Sequence, residues 1–297
     1  MSQSSLSKHI ADLERDLGFN LIVHGNPPTL TKAGIAFLEV CEEVIFAFDV
    51  AVEHCRTLDR QPDGRIVIQD PVMDSTISNQ SIPVFMYFAE HHPSVEIELF
   101  PLRGKTISDA LNDGTMDVGY FMGYGDIREN VAKKAQAGIV AFPLRTRRFA
   151  VWMSKDHPVA KKEELHVEDM RDYPILVQAD RLFDDWRLVL QNLCEAHGFT
   201  PKIKLRITPT INSYFALNTQ NGFVILADAF LNDPRFLMRR DMVTRELVGD
   251  GCEYNLYCVY RADNKNPALP LFIEQLKQTS EFADQLDELK LLTRSIL

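Results

Sequence analysis

The chain has 297 residues, a formal net charge of −10, 45% hydrophobic and 25% charged residues, and five cysteines. This length suits about two domains, and the composition is that of an ordinary soluble globular protein. The sequence contains no apolar run long enough to cross a bilayer, no opening secretory signal and no CxxC pair. These features predict a reduced, cytoplasmic protein with no membrane partner. The acidic net charge gives no support to nucleic-acid binding, so any such prediction must come from motifs.

The first segment predicts an amphipathic helix over residues 2–17. One apolar stripe repeats at helical spacing and consists of Leu6, Ile10, Leu13 and Leu17. Gly18 stands where a helix C-cap is expected. Residues 25–29 include two consecutive prolines and predict irregular structure. Thr31 is then the predicted N-cap of a second, long helix.

The second helix has an unusually wide apolar face. Its main row, in alternating steps of three and four, is Leu38, Cys41, Ile45, Phe48, Val52 and Cys55. A second row beside it is Phe37, Val40, Val44, Ala47 and Ala51. Such a face favours pairing with a second copy along a coiled-coil-like seam. Packing on the core of its own domain is the alternative.

Residues 61–64 have the composition of a linker, and beyond them short strands alternate with helices. The predicted strands are 65–69, 95–101, 117–122, 149–153, 174–178, 202–207, 223–227 and 256–260. The predicted helices are 82–91, 107–112, 184–197 and 211–220. This alternation predicts an α/β fold with parallel sheets covered on both faces.

Several motifs together resemble the LysR type of bacterial transcriptional regulator. The segments that match its recognition helix and wing are Ser2-Gln3-Ser4-Ser5-Leu6-Ser7-Lys8-His9-Ile10, Leu13-Glu14, Leu17-Gly18 and Leu30-Thr31-Lys32-Ala33-Gly34. The segments that match its effector-binding domain are Gly64-Arg65-Ile66, Phe88 with His92-Pro93-Ser94-Val95, Leu111-Asn112-Asp113-Gly114 with Met116-Asp117-Val118, Asp156-His157-Pro158, and Asn221-Gly222-Phe223. Each motif alone is weak, but their order and spacing are specific.

The resemblance implies three parts. Residues 1–34 would form an incomplete winged helix-turn-helix head, and residues 35–60 a long linker and dimerisation helix. Residues 61–297 would form a two-lobed, periplasmic-binding-protein-like α/β effector domain, with lobe I at 61–144 and 266–297 and lobe II at 145–265. The implied partners are promoter DNA, if the helices missing before the recognition helix are restored, a small-molecule effector, and further copies in a homodimer or homotetramer. The predicted DNA-binding residues are Gln3, Ser4, Ser5, Ser7, Lys8 and Thr31.

The head departs from the family pattern. The sequence begins in the turn before the recognition helix, Ile22-Val23-His24 stands where the family has an arginine, and Gly25-Asn26-Pro27-Pro28 is not a cationic wing. A recognition helix needs helical partners to cover its apolar stripe. We therefore expect the chain as written to bind DNA weakly and without sequence preference. A real truncation and a misassigned start both remain open.

Effector residues are predicted from the rule that ligands of open α/β sheets bind beyond the carboxyl ends of strands, near helix starts. The rule selects Ser75, Thr76, Arg103, Lys105, Thr106, Phe121, Met122, Gln178, Asp180, Arg181, Asn212, Ser213 and Phe223. The hydroxyls and cations favour a carboxylate. The loop predicted over 70–79 carries Asp70 and Asp74, which keeps an amine or a hydroxylated compound open.

The sequence contains none of the GxSxG, HExxH, Walker A or GxGxxG motifs, so we predict no enzymatic activity, no cofactor and no metal. The favoured function is ligand-responsive transcriptional regulation. The alternatives are a stand-alone small-molecule sensor that has lost DNA binding and, ranked last, a transport solute-binding protein.

Overall fold

The computed structural model describes residues 3–23, 25, 27–60, 64–70, 75–102, 104–206, 212–231 and 233–297. The chain divides into two compact units, Met1–Pro62 and Asp63–Leu297. Within the described residues, no helix combines the length and apolar character that crossing a lipid bilayer requires.

The first unit is two helices joined by a small hairpin. Its elements are α1 (Gln3–Leu17), β1 (Ile22–Val23), β2 (Thr29–Leu30) and α2 (Lys32–Arg60). The predicted C-cap is confirmed, because Gly18 has a φ of 76° and its N–H donates to the Glu14 carbonyl at 3.0 Å. The predicted N-cap is confirmed too, because the Thr31 hydroxyl accepts from Gly34 N–H at 2.8 Å.

A few contacts hold the hairpin of this unit between its helices. The Glu14 carboxylate accepts the backbone N–H groups of Leu21 at 2.6 Å and Ile22 at 2.9 Å. Leu21 is buried, and Gly34 packs so closely beneath it that a Cβ would overlap the Leu21 carbonyl. Much of the apolar face of α2 remains exposed in the single chain, including Ile45 at 60% and Phe48 at 66%.

The second unit has two lobes. The elements up to the first crossing strand are β3 (Arg65–Gln69), α3 (Ser75–His91), β4 (Glu96–Phe100), α4 (Ile107–Asn112), β5 (Gly119–Gly123), α5 (Ile127–Gln136) and β6 (Ile139–Ser154). The remaining elements are β7 (Pro174–Gln178), α6 (Asp184–Ala196), β8 (Lys202–Arg206), α7 (Asn212–Ala216), β9 (Val224–Ala227), α8 (Pro234–Leu237), β10 (Met242–Glu246), β11 (Glu253–Arg261), α9 (Leu269–Gln278) and α10 (Leu286–Ile296).

Each lobe starts from a parallel strand pair. In lobe I, β3 pairs with β4 in parallel, and a parallel bridge joins Ile68 to Val118 just before β5. In lobe II, β7 pairs with β8 in parallel, and a bridge joins Ile175 to Phe223 just before β9. The carboxyl ends of β3 and β7 therefore carry Gln69 and Gln178, which are both buried.

One long strand, β6, belongs to both lobes. Nine of its first ten residues pair with β11, with a register shift at Leu144, and β11 also pairs with β5. The last residues of β6 pair with β9 and β10. All these pairings are antiparallel. The prediction of parallel sheets is therefore confirmed for the pairs β3–β4 and β7–β8 and wrong for the strands that pair with β6 and β11. The predicted strands 149–153 and 256–260 are only parts of longer strands. A strand that contacts the cores of both lobes does not keep one apolar pattern along its whole length, so the sequence pattern predicts only a part of it.

Two further expectations differ from the structure. The loop predicted over 70–79 is helical from Ser75, although α3 contains Pro83. The helix predicted over 211–220 is only Asn212–Ala216, and a turn follows in which Asn218 Oδ1 accepts from Gln220 N–H at 2.9 Å. Gln220 has a φ of 53°, which a helix does not allow.

The lobes have separate cores. The core of lobe II surrounds Phe149 and Trp152, whereas lobe I has one apolar cluster on each side of its sheet. Phe88 of α3 and Phe272 of α9 meet in one of these, with ring centroids 5.8 Å apart. The lobes are thus two packed bodies joined by continuous strands.

Candidate functional site

The two lobes meet where β5 ends. Met122, a predicted effector residue, packs against the core clusters of both lobes. Tyr124 packs against the core of lobe II, and burial raises the pKa of its hydroxyl. Helix α6 of lobe II contacts β5 of lobe I. These contacts mark the base of an inter-lobe cleft.

An ion pair between Arg181 and Asp109 also joins the two lobes. Arg181 follows β7 in lobe II, and its Nη2 donates to Asp109 Oδ2 in α4 of lobe I at 3.0 Å. The two side chains are 58% and 48% exposed, so water screens the pair. The predicted anion-binding arginine is therefore already paired with a carboxylate of the other lobe.

The start of α4 is closed by a capping box. The Thr106 hydroxyl accepts from Asp109 N–H at 3.1 Å, and Asp109 Oδ2 accepts from Thr106 N–H at 3.3 Å. The hydrogen bonds with Thr106, followed by the charge of Arg181, lower the pKa of Asp109. Lys105 bonds Asp113 at 2.7 Å and Thr115 at 3.1 Å. Both predicted residues, Lys105 and Thr106, thus have partners within lobe I.

The end of β7 presents a buried amide. Gln178 is 4% exposed, and its Nε2 makes no hydrogen bond with any of the described residues. The guanidinium of Arg187 donates to the backbone carbonyls of Gln178 at 2.6 Å and Asp180 at 3.2 Å, and pairs with Asp184. Burial lowers the pKa of Arg187. This arginine fixes the turn that carries Arg181.

Two predicted aromatic residues lie in the cores. The Phe121 ring is buried, stacks on Tyr257 with centroids 4.5 Å apart, and is covered by Lys134 at 4.2 Å. Phe223 is fully buried against His157 and Tyr173. Their rings are therefore part of the core packing of the two lobes.

The remaining predicted effector residues lie outside what the structure describes in detail. Arg103 is not among the described residues. Ser75 and Thr76 begin α3, and Asn212 and Ser213 begin α7, but only their backbones are described.

The predicted DNA-binding residues lie on α1 and at the start of α2. Gln3, Ser4, Ser5, Ser7 and Lys8 fall in the first two turns of α1, and Lys8 is exposed. The side chains of Gln3 and Ser4 lie outside the described part. Thr31 donates its hydroxyl hydrogen to the Asn20 carbonyl at 2.7 Å while it caps α2. Its hydroxyl therefore has structural partners on both sides.

Sequence reasoning missed Asp109 and Arg187. Asp109 could have been predicted from the sequence, because it is the third residue after Thr106 in a Thr-x-x-Asp capping box. Its pairing with Arg181 was not readable, because the two residues are 72 positions apart. Arg187 lies one turn into α6 and gave no motif signal.

Comparisons with known proteins agree with this architecture. The family model for the LysR substrate binding domain matches residues 60–281. The regulator AlsR of Bacillus subtilis is 25% identical over 277 residues, covering 92% of this chain and 86% of its own length. XapR of Escherichia coli, another HTH-type transcriptional regulator, is 24% identical over 282 residues, covering 94% of this chain and 89% of its own.

Solved structures show the same fold. A crystal structure of CbnR, a LysR family transcriptional regulator, has a TM-score of 0.52 at 18% identity, covering 95% of this chain and 91% of that one. Full-length BenM has a TM-score of 0.54 at 20% identity, covering 94% and 86%. The chain belongs to the LysR family of transcriptional regulators. It combines a helical unit with a two-lobed α/β effector-binding domain.

Proposed function

We propose that this chain is a cytoplasmic, non-enzymatic regulator that binds promoter DNA through α1 and senses a small metabolite between its lobes. The observation that carries the proposal is the match of the LysR substrate binding domain to residues 60–281. Curated regulators also align with 92–94% of the chain, which includes much of the helical unit. A transport solute-binding protein would need no such unit, so that alternative is not favoured.

The inter-lobe ion pair suggests how a ligand acts on the second unit. A ligand carboxylate would take over the guanidinium of Arg181, which can bind a carboxylate through two parallel hydrogen bonds. Asp109 would then lose its partner from the other lobe. The buried Nε2 of Gln178 supplies a further donor at the end of β7. A carboxylate effector would thus replace a direct contact between the lobes with one through the ligand.

A melting screen of carboxylate metabolites on the full chain tests the sensor. A ligand at about 100 times its Kd stabilises a folded protein by about 2.7 kcal/mol. We expect Arg181→Ala to reduce the shift given by a hit. Asp109→Asn should preserve or increase it, because the competing charge is removed. Arg240→Ala, an exposed arginine elsewhere in lobe II, is the control.

A smaller melting shift in Arg181→Ala, together with an equal or larger shift in Asp109→Asn, would support a carboxylate that competes with Asp109. If both variants and the control leave the shift unchanged, the ligand does not contact this ion pair. A bound crystal pose outside the cleft would refute the sensor site itself.

Chromatin immunoprecipitation of the chromosomally encoded protein, followed by gel shifts on enriched fragments, tests the DNA-binding role. We expect Lys8→Glu to weaken DNA binding, because one contact with a phosphate is lost. The slope of log affinity against log salt concentration should decrease in magnitude by about one. Lys161→Glu, an exposed lysine of lobe II, is the charge-matched control. Absence of any enriched fragment would favour the stand-alone sensor.

A further inference from the structure

A cavity of about 250 Å³ lies in lobe I, at the end of the sheet opposite the inter-lobe cleft. Its floor includes Val140 and Phe142 of β6 and Tyr260 of β11. In the strand register Val140 lies opposite Tyr260, and Ala141 opposite Val259, which pairs with Gly119 at the start of β5. The cleft lies at the other end of β5, four residues or about 13 Å away.

Two helices complete the cavity. Helix α10 contributes one face at helical spacing, consisting of Leu286, Leu289, Lys290, Thr293 and Arg294. Leu289 and Thr293 are buried, whereas Lys290 and Arg294 are exposed at the rim. Helix α9 contributes the half-buried Lys277, whose Nζ lies 5.7 Å from the centroid of the Phe142 ring. The cavity therefore has an apolar floor and a cationic rim.

The charges around the cavity are unbalanced. Among the described residues, none of Lys277, Lys290 and Arg294 forms an ion pair, and no Asp or Glu side chain lines the cavity. Leu297 lines it as well, so the carboxylate of this last residue is the one anionic group of the described lining. Nearby cations do have partners: Arg128 of α5 pairs with Glu288, and Arg145 of β6 pairs with Glu281. In a chain of net charge −10, three unpaired cations against this single carboxylate leave a local positive field at the cavity.

We infer that this cavity binds a small anion with an apolar body, such as an aryl or short-chain carboxylate. At about 30 Å³ per water, the cavity has room for about eight waters, or a ligand of about ten non-hydrogen atoms. The apolar body lies on Phe142 and Tyr260, and the anionic group meets the three cations at the rim. This site is separate from the inter-lobe cleft and does not depend on the proposed function.

Isothermal titration of the full chain with phenylacetate tests the inference. Phenylacetamide and phenethylamine have the same shape but are neutral and cationic. We expect phenylacetate to bind, the amide to bind at least about tenfold more weakly, the amine not to bind, and added salt to weaken the binding. The double variant Lys290→Glu/Arg294→Glu should weaken phenylacetate binding at least about tenfold.

Two control variants distinguish binding at this cavity from binding in the cleft and from a general effect of net charge. Lys161→Glu/Arg240→Glu has the same change in net charge on exposed positions of lobe II and should bind phenylacetate as the parent does. Arg181→Glu alters the cleft and should also bind normally. The inference is overturned by no binding up to about 10 mM, or by equal binding of acid and amide. An equal loss of phenylacetate affinity in Lys290→Glu/Arg294→Glu and in Lys161→Glu/Arg240→Glu would overturn it as well. So would a loss of affinity in Arg181→Glu alone.

Discussion

The exposed apolar face of α2 leads to a quantitative prediction about self-association. Ile45 and Phe48 are 60% and 66% exposed in the single chain. Full burial of one such side chain is worth about 1.5–3 kcal/mol, so covering the exposed part gives about 1–2 kcal/mol. A two-fold seam buries both residues from each copy. These four side chains would stabilise the dimer by about 4–8 kcal/mol.

Replacing both residues with aspartate should therefore convert a dimer into a monomer. A loss of about 4 kcal/mol weakens association by about a thousandfold, and the buried carboxylates add a further penalty. The monomer should still fold, because neither side chain is buried within it. Sedimentation velocity over a range of concentrations measures the change in the Kd of the dimer, and far-ultraviolet circular dichroism checks that the chain remains folded.

Lys32→Glu reverses an exposed charge on the opposite side of α2 and should leave the dimer intact. The α2 seam is refuted if the folded Ile45→Asp/Phe48→Asp variant dimerises with the same Kd as the parent. A monomeric parent at high concentration would refute it as well.

Three further predictions concern stability. Asp117 accepts hydrogen bonds from Val67 N–H and from two asparagine amides, so Asp117→Ala should cost about 3 kcal/mol and lower the Tm by about 6–12 °C, whereas Asp172→Ala at the surface should not. Burial lowers the pKa of His157 below its usual 6.5, so the folded form favours the neutral ring. The contribution of His157 to stability should be fully present above pH 6.5 and be lost as the pH falls from 6.5 toward the lower pKa of the folded form. His157→Gln should make the Tm less dependent on pH between about pH 7.5 and 5.5. A Tm that changes with pH as steeply as that of the parent would contradict this prediction. Gly34→Ala should destabilise the first unit by about 1–3 kcal/mol, because its Cβ overlaps the Leu21 carbonyl; faster hydrogen exchange in α1, absent from Ala33→Ser, is the measurement.

The physical basis of one family motif is visible at Asp117. Its Oδ2 accepts from Val67 N–H at 2.9 Å and from Asn266 at 2.8 Å, and its Oδ1 accepts from Asn264 at 2.8 Å. One carboxylate thus joins β3, the turn before β5 and the segment before α9. The motif was recognised from sequence as a pattern, whereas the structure gives its purpose.

The amino-acid sequence by itself determined the local elements. The extents of α1 and α2, the C-cap at Gly18, the N-cap at Thr31 and the strands β3 and β7 all follow from residues within about four positions of one another. Helical periodicity and capping act over that distance, so neighbouring residues are sufficient to predict them. The ordered set of motifs also identified the family.

Only the tertiary structure decided how the lobes are joined and which predicted side chains meet between them. β6 and β11 cross both lobes, which merges segments that look like separate short strands in the sequence. Arg181 meets Asp109 instead of open solvent, and Phe121 lies within a core. The sequence predicts which side chains follow the carboxyl ends of strands. The partners of these side chains are residues far away in the chain. Contacts between such distant residues depend on how the two separately packed lobe cores are placed relative to each other. No local sequence pattern predicts that placement.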